Sequence, residues 1–582
     1  MMEGECSLSG EGKAGTDLDA ICSCFAAWST WCTLWVVTGA LALILVVLHS
    51  ARKWLLRKFE WLKTFYVWIG VLAVLGGAWA FLFPLAINAD FSKTGDGAAL
   101  RQTLIYTTGG LLGVITLGET RHKNDQEHMR QVHSERRSRY ATAIEQLADE
   151  KAPIRLGGVY TLVKLVDEWL ADEKTLPNEE ERREEGQVII NSLCAYIRSS
   201  FDLASKAEML SQDKALEDYE GGTQQFAKDQ ARFREEKELR LTILNAIKTR
   251  LNSGTIIQEK GTEKILKGPW SDFDYDFSGA VFFYSIGFTN SYFGASSNFS
   301  GVEFTEKAEF SEAKFFQDAD FSGVKLTEAS FFKAEFTKAS FSRAEFTQNA
   351  DFYGAKFTQN ANFYEAKFTQ NAKFSWGKFT QNADFSGAAF TNVDFSGAAF
   401  TQNANFYRGK FTQNANFSEA EFTNADFSGT AFTQNANFYR GKFTKNASFF
   451  KAEFTEAIFS KAEFTKYAGF SKAKFTSANF SEAEFTRDAD FSKAKFTVSA
   501  DFSKAFFEEK PKFEYALGNK TYKARFSCKA NPKGYNFEVS PDSPYKIETK
   551  EQEHNGIKFV IPEDAELFDP DEPSEQGNND GN

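Results

Sequence analysis

Residues 355–385 read AKFTQNANFYEAKFTQNAKFSWGKFTQNADF: a Phe returns every five or six positions, with a small residue, mostly Ala, two before it. No helix accounts for this, because at about 100° per residue a five-residue step turns successive Phe side chains to different sides. A flat strand fails as well, since an odd step flips the face. The chain must turn a corner at every step. Each step is then a short extended segment that points one small and one large apolar residue to the same side.

Working outward, the pattern begins at Phe277 and ends at Phe507. Four such sides close a square coil. Roughly eleven coils fit into the interval, giving a rod on the order of 50 Å long at about 4.8 Å per coil. Six-residue steps test this geometry, because extra residues placed at random would break the stacking. All fifteen fall on even-numbered steps counted from Phe277, and every odd step has five residues. The extra residues are thereby confined to two opposite corners and the register survives. The residue after the large one obeys the same parity, with Thr347, Thr358 and Thr369 in one set and Phe332, Ser342 and Tyr364 in the other. The true repeat is a pair of steps, as in FTQNANFYEAK at 357–367.

Upstream, residues 1–24 form an acidic N-terminal segment, and 25–118 reads as a transmembrane region. Residues 25–48 carry no charge over a length that can cross about 30 Å of hydrocarbon. A second such stretch covers 65–87, and a weaker third covers 100–118. Lys and Arg between the first two spans, and again after the third, predict an N-terminus outside and C-terminal domains in the cytoplasm. Arg121, Lys123, Arg130, Arg136, Arg137 and Arg139 form the second basic cluster. It serves either as a topology signal alone or as a contact for anionic lipid beside the membrane.

Residues 119–265 read as a helical domain, with apolar positions recurring at three and four, and with DEKTLPNEEERREEG as a charged insertion in loop form. Gly157 and Gly158 suit close helix packing; no Lys-Ser/Thr follows them, so they do not make a phosphate loop. After the rod, 508–561 is expected to cap the last coil, whose open edge would otherwise pair with another chain, and 562–582 is an acidic tail expected to be disordered.

The units ADFSG, ANFYE and ADFSK resemble pentapeptide-repeat proteins over about 230 residues. The resemblance implies a right-handed quadrilateral β-helix without enzymatic activity. RYATAIEQLADEKAPIRLGGVYTLVKL, together with GPWSDFDYDFSGAVF, further resembles membrane-anchored members from bacteria, which implies a multi-pass protein of the bacterial cell membrane. The acidic run from Glu179 to Glu185 departs from that pattern. The expected fold class is therefore a membrane α-helical N-terminal segment, a small all-α linker domain and a pentapeptide-repeat β-solenoid over 270–507.

The best understood members of the family imitate duplex DNA through acidic walls and so protect or inhibit gyrase. Here the charge is mixed: the chain carries −12 overall, and 271–510 holds about 29 acids and 25 bases. Acids and bases such as Glu345, Lys367, Glu453 and Lys474 are expected to share a ladder. A non-enzymatic scaffold that binds a protein partner is the leading reading, DNA mimicry the alternative, and direct nucleic-acid binding is disfavoured. A homo-oligomer is open.

No catalytic constellation, metal site or cofactor site is expected. His122, His128 and His133 do not share a helix face, and Asp272, Asp274 and Asp276 read as the solvent face of the first coil. The candidate partner-binding residues are outward aromatics and their basic neighbours: Tyr353, Tyr364, Trp376, Tyr407, Arg408, Tyr439 and Arg440. The same tyrosines equally suit a plain role covering coil edges.

Overall fold

The computed structural model describes residues 65–86, 96–212, 219–257 and 263–571. The chain divides into two compact units, Met1–His133 and Ser134–Asn582. In the first, helix α1 covers Phe65–Ala86, and α2 starts at Asp96 and runs on to Leu147 in the second. Among the described residues no helix is long and apolar enough to cross a membrane, which does not fit the multi-pass expectation. The stretch at 25–48 lies outside the described residues. That at 65–87 is α1, whose side chains are described only over 69–83. At 100–118, Gln102, Thr103, Thr107, Thr108 and four glycines dilute the apolar residues, and the helix continues without a break into a charged stretch.

In the second unit α2 is joined by α3 (Ala152–Leu170), α4 (Glu179–Arg198), the short α5 (Ala207–Leu210) and α6 (Gly222–Arg250). The acidic insertion is not all loop. Asn178 caps α4 by accepting from the Glu180 N–H, and Glu179, Glu180 and Glu181 sit in the first turn, where the helix dipole favours negative charge. Leu162, Val166, Ile190, Leu193, Ile243 and Ile247 are buried among these helices. Gly158 permits the close approach of α2, because a Cβ there would lie 2.8 Å from the Ala143 carbonyl oxygen.

This helical domain closes the first coil of the rod. Arg240, 1% exposed, donates to Glu236 Oε1 at 2.7 Å and to the Ile197 and Ser199 carbonyls at 2.8 Å, so the buried cation is fully held. Trp270, Phe273, Phe283 and Tyr284 join the helical core to the coils. Trp270 Nε1 donates to Asp167, which also pairs with Arg250 at 2.7 Å.

From Phe277 to Phe507 the chain winds through about eleven turns. Four columns of stacked rings fill the inside, beginning at Phe277, Phe282, Phe288 and Phe293. Within a column the ring centroids stand 4.5 Å apart for Phe346–Phe368 and 5.1 Å for Phe390–Phe411, close to the strand spacing. The first and third columns meet edge to face across the axis, as with Phe341 and Phe352 at 5.3 Å and 90°. Alanine two before each Phe is buried too, as at Ala355, Ala361 and Ala494.

Backbone bonds run between coils, with every strand pair of the coils parallel and like facing like: Ala361 to Ala383, Phe357 to Phe379. Two parallel sheets result, joined by tight turns along two opposite edges. The extra residue of the six-residue steps sits in the sheets and not in these turns. It appears as a register shift where a long step meets a short one, as between Phe368 and Asn371.

The turns explain a sequence detail. Asp or Asn before first- and third-column Phe accepts from the N–H two residues on, as Asp384 does from Ser386 at 3.0 Å and Asn405 from Tyr407 at 3.0 Å. The next residue has a positive φ. Glycine takes that place at Gly387 and Gly397, yet Trp376 (φ 59°), Arg408 (54°) and Lys472 (60°) occupy it elsewhere. Each such side chain costs about 1–2 kcal/mol relative to right-handed backbone. The stacked coils enforce it, since the Arg408 N–H must still donate to the Ser428 carbonyl of the next coil, at 3.0 Å.

At the far end Phe513, Phe526 and Phe537 extend three columns into a twelfth, enlarged layer. It carries the hairpin Glu514–Leu517/Lys520–Ser527, and the hairpin Thr549–His554/Ile557–Pro562 follows. Strand Ala565–Phe568 pairs with Ala524–Ser527, so the acidic tail is ordered further than its composition suggests. Its apolar residues Ala565 and Phe568 are buried on the cap.

Candidate functional site

With the interior filled, chemistry is left to the outer walls, and the structure sorts the seven candidate residues onto both turn edges. Tyr364, Tyr407 and Arg408 follow first-column Phe; Tyr353, Trp376, Tyr439 and Arg440 follow third-column Phe, on the opposite edge. They therefore make two patches, not one.

On the first edge Tyr364 is 36% and Tyr407 40% exposed. Arg343 reaches over the Tyr364 ring at 5.8 Å and donates through Nε to Glu365 at 2.9 Å. The hydrogen bond from Tyr364, then that from Arg343, lowers the Glu365 carboxyl below its usual range, and the same bond to Glu365 raises the Tyr364 hydroxyl. Arg408 lies 5.0 Å from the Tyr407 ring centre. Phe450, also 36% exposed, repeats the position with Lys451 at 5.2 Å. These three aromatics stand on alternate coils, separated by Ser386–Gly387 and Ser428–Gly429.

On the second edge Trp376, 57% exposed, lies flat over the next coil: a Cβ on Gly397 would sit 3.1 Å from its indole ring. Tyr353 stacks on Phe332 at 5.5 Å with Lys373 over its ring, and Arg440 covers Tyr439 at 5.1 Å while approaching Glu419 at 3.9 Å.

Beside the edges, charges alternate along ladders. Glu335 stands between Lys314 at 3.2 Å and Lys356 at 2.7 Å; burial works to raise its carboxyl, but the two lysines prevail and lower it. Lys367 meets Glu345 at 2.7 Å and Lys474 meets Glu453 at 2.6 Å, as the shared ladder predicted. Exposed pairs of this kind contribute little each, roughly 0–1 kcal/mol, but keep like charges from stacking.

The basic cluster that follows the third apolar stretch divides. Arg121, Lys123 and Arg130 are exposed on α2. Arg136 instead pairs with Asp172 at 2.6 Å beneath the Trp169 ring, Arg139 pairs with Glu168, and Arg137 meets Glu185 at 3.1 Å. These three pair with carboxylates of the helical domain, and Arg137 remains largely exposed while doing so. Burial works to raise the Asp172 carboxyl, but hydrogen bonds from Thr175 and Arg136 outweigh it and bring it to about 2. Nor do Asp272, Asp274 and Asp276 simply face solvent. Asp272 pairs with Lys267, Asp276 with Arg198, and the Asp274 backbone exchanges hydrogen bonds with Gln187 of α4.

Sequence reasoning missed Phe316, 58% exposed, and Phe450. The signal was the doublet: in Phe315–Phe316 and Phe449–Phe450 only the first ring can enter a column, so the second must face out. Among the described residues no group of three or more His, Cys, Asp or Glu could hold a metal ion.

Comparison with known families gives two matches. One family model, described as pentapeptide repeats (9 copies), matches residues 331–375 and 395–442; a second, pentapeptide repeats (8 copies), matches 370–413. No curated protein and no solved structure matches the chain. Residues 331–442 are thus pentapeptide repeats, and the coils on either side continue the same columns.

Proposed function

We propose that this pentapeptide-repeat chain is a non-enzymatic scaffold whose rod docks partner proteins along its two turn edges. The observation that carries this reading is the packed interior: from Phe277 to Phe507 the Phe columns are at most 3% exposed, so no pocket enters the rod and recognition falls to its outer walls. The edges supply what protein interfaces use, outward aromatics, with a cation beside Tyr353, Tyr364, Tyr407, Tyr439 and Phe450. Alternating ladders favour a protein partner over DNA mimicry, which needs uninterrupted negative charge along a wall.

Replacing Tyr364, Tyr407 and Phe450 by alanine on one edge, or Tyr353, Trp376 and Tyr439 on the other, is expected to leave the fold intact. Each set should abolish co-purification of a distinct group of proteins from native membranes. If both variants retain every partner at wild-type abundance, the reading fails.

The scaffold is tethered to a membrane through the uncharged stretch 25–48. Deleting those residues is expected to move the chain from the alkali-resistant membrane fraction to the supernatant. Retention in the membrane fraction would place the anchor elsewhere.

A further inference from the structure

One wall departs from alternating charge over three successive coils. Near the capped end two ladders run side by side along the first edge. The turn residues Lys451, Lys472 and Lys493 stand on three successive coils, since the Lys451 N–H donates to Ser471 and the Lys472 N–H to Ser492. Next to them Lys474, Lys495 and Arg525 are direct partners in register across parallel strands. Together they line an open groove of about 570 Å³ that also contains Lys523 and a single acid, Glu453.

Like charges facing each other on neighbouring strands are unfavourable, and elsewhere they occur as isolated pairs such as Lys356 with Lys378 and Glu463 with Glu484. Here three cations follow one another in register, although Lys474 also meets Glu453 and Arg525 meets Glu566. Burial, followed by Arg525 and Lys474, lowers the Lys495 ammonium below the ordinary lysine range, which shows how closely the cations crowd. Like-charge stacking retained at a cost in stability, in an open groove, is what an anion-binding surface requires.

We infer that this basic groove binds an acidic, extended polypeptide segment of a partner protein. The inference rests on the scaffold reading and gives one of its docking surfaces a ligand chemistry. Two features favour carboxylates on a peptide over the phosphates of a nucleic acid. The groove already accepts a carboxylate from an added strand: Glu566, on Ala565–Phe568, pairs with Arg525 at 3.2 Å while Phe568 lies 4.9 Å from the same guanidinium. Phe450, flanked by Lys451 at 5.2 Å and Lys472 at 5.3 Å, offers an apolar contact between cations and suits a segment in which acidic and apolar residues alternate.

The test uses the full-length chain and the fluorescence anisotropy of a labelled dodecapeptide of alternating Glu and Ala. The matching Gln–Ala peptide, a single-stranded oligothymidylate and inorganic polyphosphate serve as competitors. Wild type is expected to bind the Glu peptide, more weakly as salt is raised, and to ignore the Gln peptide. Joint replacement of Lys472, Lys474, Lys493 and Lys495 by Gln should weaken binding about tenfold or more, and the pair Lys474→Gln/Lys495→Gln should lie between. Relief of the Lys495 contacts offsets loss of the exposed Lys474–Glu453 pair, so both variants should melt close to wild type, which separates lost binding from lost folding. The inference is overturned if the Glu peptide does not bind, if the milder pair binds as wild type does, or if oligothymidylate or polyphosphate displaces the peptide at lower concentration than unlabelled peptide. Failure here with edge variants still losing partners would reject the groove alone; edge variants that keep every partner would reject the scaffold.

Discussion

Phe395→Ala is expected to lower the stability of the central coils by about 3–5 kcal/mol, read as a large fall in the urea midpoint of the rod. Phe395 is fully buried. It stacks between Phe374 at 4.8 Å and Phe417 at 5.1 Å, and meets Phe385 and Phe406 edge to face at 5.3 and 5.5 Å. Truncation therefore leaves a gap walled by rings whose positions the parallel backbone ladders fix, so the cavity cannot collapse. The same change at Phe450, one position outside a column, should cost under about 1 kcal/mol. Equal losses at the two positions would mean that the columns do not carry the stability of the rod.

Two single-residue deletions are expected to differ still more sharply. Gln402 lies in a six-residue step, Phe400 to Phe406, at a register shift against the next coil. Removing it produces Phe-Thr-Asn-Ala-Asn-Phe, the form that the five-residue step from Phe422 to Phe427 already takes. The cost should stay within about 1 kcal/mol. Gly397 sits at φ 63° in the tight turn of a five-residue step. Without it Phe400 cannot reach its column while Phe395 keeps its own, and every later side chain in the coil is offset by one position. A loss of about 5 kcal/mol or more, or failure to fold, is expected. Comparable urea midpoints for the two deletions would show that corner type does not govern register.

Much of this architecture was legible because the interior is repetitive. A Phe at every fifth or sixth residue admits one winding, and the parity of the six-residue steps confines the extra residues to alternate steps of it. The helical domain was read correctly in type but not at its insertion, since the helix-starting value of Asn178 and three following acids was hidden by their polarity. The carboxylate partners of the arginines at 136, 137 and 139 were not legible, because proximity to an apolar stretch is visible in the sequence, whereas Glu168, Asp172 and Glu185 arrive from distant parts of the domain.

The walls were the least legible part, because wall neighbours lie a whole coil apart in sequence. Lys474 and Lys495 become adjacent only when the intervening residues close a circuit. By itself the sequence determined that the chain coils, which ring enters and which faces out, since steric fit and burial act within a few residues. Only the tertiary structure decided that the exposed aromatics divide between two opposite edges, and that like charges stack on one stretch of wall. Those outcomes depend on the summed length of four steps, and a local pattern does not carry that sum.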